Sequence, residues 1–225
     1  MDRLFGYGVT TKIVAMMKEC LHEKKLVIIA GTSGSGKGTI VDLILSSDVL
    51  GASKIPLYTT RNLKSDEVDK DYYHISQKEF DEMRIKNAFF QWQQFPDRCY
   101  GISTSDMFNT INKSSYSLID TGIGATLDLI RVFKEYSLPL ASFFIIPIPF
   151  EEIMICGGIE KAINIIRKRI LKRGRGETSA DLQGRLDTAR MWFSQIHQLP
   201  FTFIENSEGK QHDAFQAIIK ALRNN

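Results

Sequence analysis

The stretch from Leu26 to Leu45 constrains the fold more than any other part of the chain. It reads LVIIA, then GTSGSGKGT, then IVDLIL. The apolar run predicts a buried strand, a turn opens at Gly31, and Ile40, Val41, Leu43 and Ile44 recur at helical spacing. In a strand, loop and helix of this kind the glycines Gly31, Gly34 and Gly36 let main-chain N–H groups curl inward. Lys37 adds a cation at the helix N-terminus. The segment Gly31, Thr32, Ser33, Gly34, Ser35, Gly36, Lys37, Gly38, Thr39 is therefore expected to cradle phosphate; the bland alternative is a Gly/Ser-rich turn between strand and helix. The usual loop of this type sets Ser or Thr directly after the lysine as a magnesium ligand. Here Gly38 takes that place, so Thr39 is read as the metal-side hydroxyl, directly or through water.

The rest of the chain alternates strands with helices. Ile13, Met16, Met17 and Leu21 predict an amphipathic helix within 9–24, either packed on the body or mediating dimerisation. Extended segments are expected at 55–58, 116–120, 141–146 and 202–206, with helices beginning near Gln77 and over 106–111, 125–136 and 211–223. Such alternation implies right-handed crossovers and a parallel sheet of five strands, counting the first. Asp120 ends one strand just before two glycines, where it is either a ligand-facing carboxylate or a turn residue. An aromatic-rich passage over 88–104 predicts a small strand-and-turn subdomain, with Tyr100-Gly101 a candidate phosphate contact. A basic run from Arg167 to Arg190, broken by RGRG, reads as a flap able to close on polyphosphate, with Arg173 and Arg185 the leading residues.

Composition narrows the class. A chain of 225 residues suits one domain with mobile insertions or at most two compact lobes, with one domain expected, and a net charge of +3 from 29 basic and 26 acidic residues gives no support to a nucleic-acid partner. Cys20, Cys99 and Cys156 lack metal or disulfide spacing and are expected as reduced thiols in a cytosol. The longest apolar run, Leu138 to Phe150, is interrupted by three prolines, is too short to span a bilayer and reads as a buried strand ending in a proline turn, so no membrane partner is expected.

In order, GTSGSGKGT, TTRNLKSDEV…DYY with its following helix, FFQWQQF…YG, KRILKRGRGE…GRL and a terminal IEN resemble the guanylate kinase family from about Leu26 onward. The resemblance implies an α/β P-loop kinase fold with a five-stranded parallel core sheet. It adds a small acceptor-binding subdomain at about 60–105 and a helical lid at about 150–190, after an N-terminal helical extension over 1–24. It implies transfer of the γ-phosphoryl of ATP, with Mg2+, to a monophosphate, GMP or dGMP; the chain is expected to act as a monomer or homodimer. By position Arg61, Lys64, Tyr72 and Tyr100 would grip the acceptor phosphate. Arg169, Arg173 and Arg185 would serve as lid arginines, Lys37 would bridge the donor phosphates, Thr39 and Asp120 would face the metal, and Asn206 would lie near adenine.

The chain departs from the family pattern at several positions: Lys64 stands for an arginine, Asp120 alone for an Asp-x-Asp pair, Gly157-Gly158 lies in a lid entrance longer than usual, and the base-reading positions differ. Leu57 and Ile102 stand where the family has hydroxyl residues, and Gln91 stands where a glutamate reads guanine. A carboxylate accepts two hydrogen bonds from guanine, whereas the Gln91 amide offers one acceptor. Ribose 1,5-bisphosphate phosphokinase resembles the same frame, so a phosphosugar acceptor is a second reading. A silent guanylate-kinase-like binding module is a third.

Overall fold

The alternation of apolar strands and amphipathic helices is realised in the structure, a computed structural model that describes residues 4–7, 10–22, 24–47, 49–62, 72–174 and 176–224. In chain order the elements are β1 (Leu4–Tyr7), α1 (Thr11–Cys20), β2 (Lys25–Gly31), α2 (Lys37–Ser46), β3 (Ala52–Lys54), β4 (Leu57–Thr59), β5 (Tyr72–His74), α3 (Gln77–Ile85), β6 (Phe89–Phe95), β7 (Arg98–Ser103), α4 (Thr104–Lys113) and β8 (Tyr116–Asp120). There follow α5 (Ile123–Glu135), β9 (Leu140–Ile146), α6 (Phe150–Met154), α7 (Gly158–Arg173), α8 (Ser179–Ser194), a 3-10 turn (Ile196–Gln198), β10 (Thr202–Glu205) and α9 (Gln211–Arg223).

Strand pairing forms two five-stranded sheets, of order β1-β6-β7-β4-β5 and β10-β9-β2-β8-β3. The second is the expected parallel sheet. Its central strand β2 reads as a near-continuous apolar run because both faces are covered; Leu26 to Ala30 are each 0% exposed. One of its strands is not where the sequence reading set it. Ala52–Lys54 pairs with β8, whereas Leu57–Thr59 pairs with β5 and β7 in the other sheet. The last bond on the β8 side is donated by Ile55 N–H to Leu118, and Pro56, which has no N–H, follows.

Two compact units are resolved within the chain. The first comprises the described residues of Met1–Val27, Gly51–Ile119 and Leu127–Leu140. Its mixed sheet packs one face on α3 through Phe80, Phe89 and Cys99, with Tyr58, Met83 and Trp92 against them. Ser76 and Glu79 start α3 with a reciprocal capping box, and those hydrogen bonds hold the Glu79 carboxyl below its ordinary pKa. Burial and the neighbouring Asp106 carboxylate push the Tyr58 phenol up, and its hydroxyl donates to Asp106 Oδ2 at 2.9 Å. In the N-terminal segment Met17 and Leu21 of the expected stripe are buried together with Val14, while Ile13 is half-buried and Met16 is 40% exposed. The same segment contributes β1, antiparallel to β6, which no sequence pattern announced.

Gly101 has a different reason to be glycine from the phosphate approach read in the sequence. A side chain there would begin 2.6 Å from the ring of Phe89. Gly101→Ala is expected to cost about 1–3 kcal/mol through overpacking. Urea unfolding measures it, and an unchanged midpoint would show that the ring moves aside freely.

The second unit comprises Ile28–Leu50, Asp120–Thr126 and Ala141–Asn225, again as far as described. Here α9 lies beside α2, and α7 beside α8. The basic run is not a loose flap in its first half. Ala162, Ile163, Ile166 and Ile170 form a buried stripe on α7, and Ile166 and Ile170 reach 3.1 Å from where a side chain on Gly34 would begin. Gly174, in the left-handed region, ends the helix, and Thr178 opens α8 with a capping box.

Candidate active site

Two groups of site residues form, one in each unit. In the second unit β2 delivers the chain into the glycine-rich turn, and α2 begins at Lys37. Gly36 precedes it in the left-handed region, at φ 89°, as N-cap. Gly36, as N-cap, offers α2 no side-chain cap, and a helix start of this kind favours an anion. Ser35 N–H donates to the Thr32 carbonyl at 3.2 Å, closing the turn. Thr32 Oγ1 and Ser35 Oγ are buried hydroxyls without a hydrogen-bond partner. Buried polar groups are nearly always paired, so two orphan hydroxyls beside uncapped amides mark a place for an acceptor-rich ligand.

Charged residues border this turn. Lys37 Nζ donates to Asp120 Oδ1, and Asp120, the last residue of β8, is 8% exposed. Arg185 on α8 donates to Ser33 Oγ at 2.8 Å and pairs with Glu177 at 3.2 Å. Arg169 on α7 donates to the carbonyls of Ser35 at 3.3 Å and Asn206 at 2.7 Å. Burial lowers the pKa of its guanidinium, which remains charged. Asn206 Nδ2 donates to the Ser35 carbonyl at 2.9 Å, while Asn206 Oδ1 is buried and unpartnered. Gly31, Gly34, Gly38 and Thr39 complete the turn, with Gly38 and Thr39 exposed on the first turn of α2. Arg173 closes α7 at the surface.

In the first unit the site residues lie on the sheet face turned away from α3. Register sets them in two rows across four strands. One row is Gln91, Ile102, Leu57, Tyr72, and the next is Gln93, Tyr100, Thr59, His74. Cross-strand partners share a face, and residues two apart on a strand share it too. The Arg61 guanidinium lies 5.4 Å from the Tyr72 ring centre and Lys54 Nζ 5.9 Å. Arg61 is fixed at the strand end by its neighbours. Thr59 Oγ1 donates to the Cys99 carbonyl at 2.9 Å and accepts from Arg61 N–H at 3.1 Å, and His74 Nδ1 donates to the Arg61 carbonyl at 2.8 Å. Gln91 and Gln93 are 3% and 5% exposed, and neither Nε2 has a hydrogen-bond partner.

Thus the structure gathers Lys37, Asp120, Arg169, Arg185 and Asn206 about one turn, and Arg61, Tyr72, Gln91 and Tyr100 on one sheet face. Lys64 lies outside the described residues. Gln93, Lys54 and His74 were missed by sequence reasoning. For Gln93 a signal existed, since a residue two along a strand from a site residue shares its face. The three cysteines are free, and no helix among the described residues is long and apolar enough to cross a membrane.

A parallel sheet whose strand enters a glycine-rich turn, with lysine at the following helix start and a carboxylate at the end of another sheet strand, defines the P-loop phosphotransferase class. The crystal structure of guanylate kinase from Anaplasma phagocytophilum shares the fold, with a TM-score of 0.61 at 17% identity over 89% of this chain and 85% of that one. Residues 23–154 match the family model described as guanylate kinase, and the chain belongs to the guanylate kinase family. Among relatives named guanylate kinase, one from Prochlorococcus marinus strain MIT 9312 is 33% identical over 154 residues, covering 67% of this chain and 81% of the relative. A second, from Prochlorococcus marinus subsp. pastoris, is 30% identical over 204 residues, covering 89% and 96%. One from Mycoplasma mobile is 27% identical over 189 residues, covering 83% and 87%.

Proposed function

We propose that this chain is a guanylate kinase, transferring the γ-phosphoryl of ATP to the phosphate of GMP or dGMP in the cytosol. An oxygen of the acceptor phosphate bonds to the γ-phosphorus as the bond to the β–γ bridging oxygen breaks, and that electron pair leaves with ADP. The observation that carries the reading is the turn at Gly31–Thr39, with two orphan hydroxyls, uncapped helix amides and Lys37 together. Phosphoryl transfer needs positioning and charge stabilisation more than covalent help, and these groups are of that kind.

The main-chain amides and the Thr32 and Ser35 hydroxyls hold the donor phosphates. Lys37 exchanges Asp120 for the β- and γ-phosphates, and Arg185 and Arg173 offset charge on the transferring group. Arg169 is a positioning residue that holds the turn through two carbonyls, and Asn206 Oδ1 offers an acceptor to the adenine amino group. Arg61, Tyr72 and Tyr100, with Lys64, grip the acceptor phosphate, and Gln91 meets its base. Magnesium bound by phosphate and water needs only one or two protein oxygens, and the Asp120 carboxylate and Thr39 hydroxyl suit it. When bound, it neutralises charge on the β- and γ-phosphates.

ADP release measured with GMP, dGMP, AMP, UMP and ribose 1,5-bisphosphate tests this reading. Turnover of GMP is expected. Turnover of the sugar alone would favour the phosphosugar reading, and none with any acceptor would leave a binding module. Arg185→Ala is expected to lower kcat by about 10²-fold or more while changing the KM for ATP less. A kcat equal to wild type would remove Arg185 from the transfer.

A further inference from the structure

Arg61 sits past the end of its strand, where side chains hold its main chain in place of a sheet ladder. The paired residues of β4 end at Thr59. Thr60 is still tied to β7, its N–H donating to the Cys99 carbonyl at 3.2 Å and its hydroxyl accepting from Cys99 N–H at 2.8 Å. One residue further, Arg61 N–H donates to Thr59 Oγ1 at 3.1 Å, and the Arg61 carbonyl accepts from His74 Nδ1 at 2.8 Å. Arg61 and His74 are 13 residues apart in the chain.

A carbonyl oxygen only accepts, so Nδ1 carries the hydrogen of this bond, and the imidazole cannot turn over without losing it. Two contacts set the ring. His74 is the register partner of Thr59 across β4 and β5, and the His74 ring meets the Tyr72 ring edge-on with centres 6.2 Å apart. The same Tyr72 ring lies 5.4 Å from the Arg61 guanidinium and 6.2 Å from the Tyr100 ring. Arg61 is thus placed at both ends, its main chain by Thr59 and His74 and its tip beside Tyr72.

The two braces on the main chain differ in what else they do. Thr59 is 0% exposed and its hydroxyl also donates to the Cys99 carbonyl, so it belongs to the sheet. His74 and Arg61 are half-buried, so water can take up the carbonyl when the imidazole is lost. The fold then persists while the cation loses its aim. A misplacement of about 1 Å in such a group costs up to about 10²-fold in rate.

We propose, on the basis of the kinase reading above, that His74 is a positioning residue for the acceptor: its Nδ1–H fixes the main chain of Arg61 and so aims the guanidinium at the acceptor phosphate.

The test is equilibrium binding and steady-state turnover of GMP by the full chain and its variants. His74→Phe keeps a ring against Tyr72 and removes the donor. It is expected to raise the Kd and KM for GMP by about tenfold, the scale of one hydrogen bond. The KM for ATP should stay within about twofold, and the melting temperature should fall by no more than about 4 °C. His74→Asn sets an amide N–H where Nδ1 stands and is expected to bring GMP binding back to within about threefold of wild type. His74→Gln, whose amide lies where Nε2 stands, should not, so the Asn and Gln pair carries the same test should the Phe variant fail to fold. In an Arg61→Met background, His74→Phe is expected to change the Kd for GMP by less than about twofold, because the group it aims is gone.

A KM for GMP in His74→Phe within about twofold of wild type overturns the inference, as does an equal rise in the KM for ATP. Binding by His74→Asn no better than by His74→Gln overturns it too, as does a full effect of His74→Phe on top of Arg61→Met. In each of those outcomes wild type still phosphorylates GMP and the kinase reading survives. Phosphorylation of no acceptor by wild type overturns both.

Discussion

Lys37→Met is expected to lower kcat by about 10³-fold, the upper end of what one preorganised charge contributes at a water-excluded site. Lys37 is the first residue of α2, at the end where the uncapped amides already favour an anion. Its ammonium donates to Asp120 and its side chain is 21% exposed, so in the free protein the pair holds the cation beside the turn. Polyphosphate carries more charge than one carboxylate and competes for the ammonium, which then meets the charge that develops between the β- and γ-phosphates. Methionine keeps the length of the stem and removes the charge, so the fold should persist with a modest fall in melting temperature from the lost ion pair. Single-turnover ADP formation and a thermal melt of the same sample check both halves. A kcat within about threefold of wild type would show that transfer does not depend on this cation.

Gly36→Ala is expected to damage both stability and nucleotide binding. At φ 89° an L side chain costs about 1–2 kcal/mol. The new methyl would also begin 2.1 Å from Asn206 Nδ2 and displace it from the Ser35 carbonyl, which it meets at 2.9 Å. Breaking that buried bond leaves polar groups unpaired at about 1–3 kcal/mol more. Together these are a large share of a typical folding free energy, and the melting temperature should fall by at least about 5 °C. Because the clash is with one side chain, Gly36→Ala and Asn206→Ser should not add. The loss in the double variant is expected to be well below the sum of the single losses. Strict additivity would mean that the backbone conformation alone makes glycine necessary, and that Asn206 is a bystander.

The parts of the fold that could be read from the chain are those where the signal is local. β8 at Tyr116–Asp120 and α9 at Gln211–Arg223 fall within the bounds that apolar runs and helical spacing set. The second parallel strand was misplaced by a few residues, because Ala52–Lys54 and Leu57–Thr59 are both three residues long and Pro56 alone marks the change of sheet. Helix α1 was recognisable by its period. Its buried side was legible only in part: Met17 and Leu21 are buried as expected, but Val14 joins them and Met16 does not, a choice that packing makes between apolar neighbours.

The candidate site divides in the same manner. Spacing of Gly31, Gly34, Gly36 and Lys37 determined the phosphate-binding turn, because a tight anion-holding loop is made by consecutive residues and its requirements are written consecutively. Tertiary structure alone decided what braces that turn. Arg169 and Asn206 meet Ser35 from 134 and 171 residues away, and no local pattern encodes so distant a hydrogen bond. It also decided that Gln91, Ile102 and Leu57 form one row, since strand register depends on pairing between segments and not on the composition of any one of them.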